Sequence, residues 1–96
     1  MNHTEHLLTC LAEESAEVAQ RATKALRFGL REVQSGQFLT NAQRLKLELL
    51  DLYAVVELLE ARGCLEGGRD SQVMDEKKVK VTAWMDYSVG CGTFQI

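Results

Sequence analysis

Two pairs of acidic residues stand at helical spacing in this chain: Glu14 and Glu17, and Glu48 and Asp51. Residues three apart on a helix project to one side, so each pair offers two carboxylates in one direction. The second pair interrupts a run of leucines and valines, from Leu45 to Leu59, where ionised groups are costly to shield from water. Acids gathered out of water must be protonated, paired with bases or bound to a cation. Oxygen donors with no neighbouring cysteine or histidine suit a hard divalent ion, Mg²⁺ or Mn²⁺ as its substitute, rather than zinc. The competing reading of Glu14 and Glu17 is a solvated surface, with Glu17 paired to Arg21 four residues on.

The elements that must carry these acids are helices. Leu7, Leu11, Val18, Ala22 and Ala25 recur every three or four residues, which predicts a first helix from just after Thr4 to about Phe28, stopped by Gly29. Leu30 to Leu39 reads as a connection with room for a short helical turn. Thr40 followed by Gln43 fits a capping box, so a second helix starts there and ends at Arg62 before Gly63. Asp70 or Ser71 caps a third helix, which is expected to run to about Tyr87, with Gly90 and Gly92 in a tail.

Around the second helix, Lys46, Tyr53, Glu57 and Glu60 fall on one narrow side, expected to face water. Nearly all the rest is apolar, and such a helix must be covered on more than one face. Glu48 and Asp51 lie opposite the polar side and are expected to point into a bundle. The fold class is therefore all-α: a single domain over residues 1–96, with three main helices in a bundle completed by oligomerisation.

Composition excludes several functions. A net charge of −3 with scattered bases gives no footprint for a nucleic-acid polymer. No stretch approaches the roughly 20 apolar residues of a membrane span, and the beginning of the chain lacks the regions of a signal peptide, so a cytoplasmic protein is expected. Cys10, Cys64 and Cys91 form no disulfide framework and are expected to be reduced, buried thiols. His3 and His6 share a metal-like spacing near a chain end but lack a third ligand, and are read as surface residues. The lack of any Glu-x-x-His argues against a di-iron bundle.

The segments Glu13-Glu14-Ser15-Ala16-Glu17 and Glu48-Leu49-Leu50-Asp51 resemble the EExxE and ExxD signature of the MazG-like, all-α nucleoside triphosphate pyrophosphohydrolases. Lys24-Ala25-Leu26-Arg27-Phe28-Gly29 resembles the small single-domain branch found in phages and bacteria. The likeness covers about Leu7 to Gly63, although the spacer between the two halves, residues 18–47, is longer than usual in that family. The resemblance implies a homodimer or homotetramer that converts a nucleoside triphosphate and water to the monophosphate and pyrophosphate. It implies that Glu14, Glu17, Glu48 and Asp51 hold Mg²⁺, with Glu13 or a metal-bound carboxylate such as Glu14 activating the water.

Substrate contacts are expected from Lys24 and Arg27, on the Glu17 side of the first helix, and from Phe28. Asn41, Lys77 and Lys80 are weaker candidates, and Tyr53 and Trp84 are further aromatic groups that could stack on a base. Two rival functions are phosphoribosyl-ATP pyrophosphohydrolase and a non-enzymatic helical oligomerisation module in which Arg21, Lys24 or a partner's bases neutralise the acids.

Overall fold

A computed structural model describes residues 1–95. Its elements are α1 (His3–Phe28), α2 (Asn41–Ala61) and α3 (Ser71–Gly90), with no strand among the described residues. None of these helices is long and apolar enough to cross a membrane. The backbone gathers into two compact units, Met1–Glu66 and Gly67–Ile96.

The first unit is an antiparallel hairpin of α1 and α2. At one end Thr4 Oγ1 lies 3.7 Å from Cys64 Sγ. At the other, the Asn41 side-chain amide donates to the Gly29 carbonyl at 2.9 Å and to Glu32 Oε1 at 3.0 Å. Two backbone donors of the first α2 turn are satisfied by the preceding loop, Asn41 N by Glu32 O at 3.0 Å and Ala42 N by Leu30 O at 2.9 Å. Thr40 and Gln43 form the expected capping box. Gly29 turns the chain out of α1 at φ 98°, a conformation that disfavours any side chain.

The packing seam follows helical periodicity. On α1, Leu7 and Ala25 are buried, and Leu11, Glu14, Val18 and Arg21 between them are half-buried. On α2, Asn41 and Leu59 are buried, and Leu45, Glu48, Leu49, Leu52, Val55 and Val56 are half-buried. A second α2 stripe is left open. Leu47, Leu50 and Leu58 are each about half exposed, at 50%, 48% and 54%. On the side expected to face water, Lys46 and Glu57 are exposed, but Tyr53 and Glu60 are half-buried and Tyr53 is engaged in an interaction.

Several boundaries differ from the sequence-based expectation. α1 begins at His3, not after Thr4, because Asn2 Oδ1 accepts Glu5 N at 2.8 Å while Asn2 Nδ2 donates to Glu5 Oε1 at 2.9 Å. The connection from Leu30 to Leu39 holds turns rather than a helical turn. α3, capped by Asp70, continues through Gly90, and the chain turns away at Gly92, where φ is 77°.

In the second unit, α3 carries apolar residues around its whole circumference, and Val79, Trp84 and Tyr87 are mostly exposed. No α3 residue is buried among those described. The cysteines are free thiols as expected, but Cys64 and Cys91 are exposed and Cys10 is half-buried, so none is a core residue. Cys64 follows the helix-ending turn and Cys91 caps α3, positions where the chain leaves the packed face.

Candidate functional site

Halfway along the hairpin, the seam carries charge where helical periodicity calls for apolar residues. Glu14 occupies the α1 stripe between Leu11 and Val18, and Glu48 the α2 stripe between Leu45 and Leu52. Glu17, one turn along α1 and exposed, joins them. One carboxylate oxygen from each of Glu14, Glu17 and Glu48 lies within 4.8 Å of the others. The Oε2 atoms of Glu14 and Glu48 are buried with no hydrogen-bond partner.

This crowding resists ionisation. Burial, followed by the charges of Glu17, Asp51 and Glu13, pushes the Glu14 carboxyl above the usual 4.5. The Glu48 carboxyl is also pushed up, first because its protonated form hydrogen-bonds Glu17, then by burial and by the charges of Glu17, Asp51 and Glu14. When Glu48 is ionised that bond has no proton to share, and its Oε2 is left without a donor. Protons or a cation can relieve both groups, and the all-oxygen donor set fits a hard divalent cation.

The fourth acid is placed differently from expectation. Asp51 is exposed, and it is not one of the three acids whose oxygens converge. It belongs to the stripe of Leu47, Leu50 and Leu58, one residue round the helix from the seam, so within one chain it reaches water. Its charge still acts on Glu14 and Glu48. Within one chain, then, the withdrawal from solvent expected of both α2 acids is partial for Glu48 and absent for Asp51.

Glu13 is exposed beside Glu14. Lys24 is half-buried on the α1 stripe, and Arg27 is exposed, with its guanidinium carbon 4.9 Å from the centre of the half-exposed Phe28 ring. Asn41, expected as a substrate contact, is 2% exposed, and its amide nitrogen donates to the Gly29 carbonyl and Glu32 Oε1. Lys77 and Lys80 are exposed on α3, where the Trp84 and Tyr87 rings meet edge to face at 5.5 Å. His6 Nε2 lies 3.7 Å from Cys10 Sγ, and no third metal-ligating group joins that pair among the described residues.

The sequence offers Arg21 as a partner for Glu17 and as a base that neutralises the acids, and it forms no ion pair with Glu14, Glu17 or Glu48. Its Nη1 is buried without an acceptor. The signal in the sequence was its register: Arg21 stands seven residues after Glu14 and so repeats that residue's position in the seam.

Compared with protein-family models, with curated proteins and with solved structures, the chain matches none of them.

Proposed function

We propose that the protein is a Mg²⁺-dependent nucleoside triphosphate pyrophosphohydrolase acting in the α1–α2 seam. The observation that carries this reading is the convergence of Glu14, Glu17 and Glu48, with two buried oxygens lacking any donor. The resemblance of Glu13–Glu17 and Glu48–Asp51 to the EExxE and ExxD segments supplies the reaction class. Glu14, Glu17 and Glu48 would hold the ion, with Asp51 adding charge at its open side. Bound there, Mg²⁺ supplies neutralisation of the charge that builds on a leaving pyrophosphate.

The chain's own groups do the rest. Water attacks the α-phosphorus, the bond from that phosphorus to the α–β bridging oxygen breaks so that this oxygen leaves as a terminal oxygen of pyrophosphate, and a carboxylate takes the water's proton. Glu13, exposed beside Glu14, has the freedom to accept it, and so has a seam acid whose affinity for protons is raised. Lys24, and Arg27 with Phe28, lie further along α1, where a triphosphate and a base would extend.

Purified protein with Mg²⁺ and a panel of ribo- and deoxyribonucleoside triphosphates is expected to release pyrophosphate, with phosphoribosyl-ATP assayed alongside. Folded protein that turns over none of them would remove this reading.

A homodimer or homotetramer is part of the proposal. Leu47, Leu50 and Leu58 form a half-exposed stripe around Asp51, and a second copy covering it would draw Asp51 into the site. Leu50→Asp is expected to shift the protein to monomer in sedimentation. A wild type that sediments as a monomer at tens of micromolar would refute the assembly.

A further inference from the structure

Arg21 and the acid cluster are complementary deficits in one seam. The guanidinium Nη1 of Arg21 is buried without an acceptor, while Oε2 of Glu14 and of Glu48 are buried without a donor. Arg21 makes no ion pair with Glu14, Glu17 or Glu48. Arginine keeps its proton at any physiological pH. A buried N–H of this kind without an acceptor destabilises the fold by more than a typical hydrogen bond stabilises it.

The neighbours do not supply the missing acceptor. Glu17, four residues earlier, makes no ion pair with Arg21. Lys24, three residues later, is also cationic. Arg21 stands on the same half-buried α1 stripe as Glu14, two turns further on, and one turn beyond Glu17. A single ligand can satisfy both deficits if it carries anionic oxygens and a divalent cation together.

We infer that Arg21 binds a non-bridging phosphate oxygen of a polyphosphate whose divalent cation is held by Glu14, Glu17 and Glu48. The inference deepens the proposed function and rests on it. Arg21 is then a substrate-binding residue retained at the expense of the apo fold, and the retention has a signature that a packing role lacks. Replacing a buried, unsatisfied donor by an apolar side chain of similar length removes a destabilising group.

The test uses inorganic tripolyphosphate with Mg²⁺ as the probe, titrated calorimetrically into the full chain. Arg21→Met is expected to melt at or above the wild-type temperature without ligand and to bind tripolyphosphate at least tenfold more weakly. Arg21→Lys, which keeps the charge but not the forked donor, is expected to fall between them. Binding within twofold of wild type in Arg21→Met would overturn the inference. So would a melting temperature several degrees lower, or a wild type that does not bind the probe. Because the probe need not be hydrolysed, Arg21-dependent binding without turnover of any nucleotide leaves this inference standing and removes the hydrolase reading. Turnover with an unchanged KM in Arg21→Met does the reverse.

Discussion

Glu48→Gln is expected to lower Mg²⁺-dependent pyrophosphate release by on the order of 100-fold or more. The substitution keeps the size and polarity of the side chain and removes the α2 charge that faces Glu14 and Glu17. Without Mg²⁺ the variant should melt no lower than wild type, since one of three crowded acids has become neutral and the new amide can donate to Glu17. Activity should fall while stability holds or rises, and that opposition separates a ligand of the ion from a packing residue. Turnover at the wild-type rate would remove Glu48 from the site, and a melting temperature far below wild type would make it structural.

The second expectation concerns pH. Glu14 and Glu48 titrate above their ordinary 4.5 in the folded chain. Between that value and their raised values the folded state binds more protons than the unfolded one, so their contribution to stability falls as pH rises through this window. It remains unfavourable at neutral pH. Carboxylates elsewhere that are stabilised in their ionised form have the opposite trend, so the informative quantity is wild type minus Glu48→Gln. That difference in melting temperature is expected to decline as pH rises from about 4 towards neutrality.

Mg²⁺ competes with the same protons. Saturating Mg²⁺ should raise the wild-type melting temperature by about 5 °C or more at neutral pH and have no effect near pH 4. Melting curves across this range, with and without the ion, check both statements. A wild-type-minus-variant difference that is flat or rises with pH would contradict the crowded-acid account, and a Mg²⁺ effect independent of pH would place the ion elsewhere.

These two results bear on rival explanations of the same geometry. The reading as an oligomerisation module requires the acids to be neutralised by bases within the chain or from a partner. Within the chain, no ion pair links Arg21 or Lys24 to Glu14, Glu17 or Glu48. A partner's bases would leave stability insensitive to Mg²⁺, and Glu48→Gln would then weaken association rather than a reaction.

Much of the hairpin could be read from local chemistry. The spacing of Leu7, Leu11, Val18 and Ala25 defined α1, and Thr40 with Gln43 defined the start of α2, because periodicity and capping involve residues within a turn of one another. The start of α1 differs from the expectation because Asn2, with its reciprocal partner Glu5, caps the helix two residues before Thr4. The pairing of Glu14 with Glu17, and the withdrawal of Glu48 into an apolar run, likewise followed from spacing alone.

Only the tertiary structure decided which acids meet. That choice depends on how two helices are phased against each other, and a rotation of one residue, about 100° on a helix, separates seam from solvent. Glu48 falls on the seam and Asp51 beside it, although both sit in the same apolar run. The same phasing buries Asn41 as a clasp on the loop and traps Arg21 without an acceptor. The residue types available to the site were thus set by the sequence, while their convergence was set by the register of α1 against α2, which no single helix encodes.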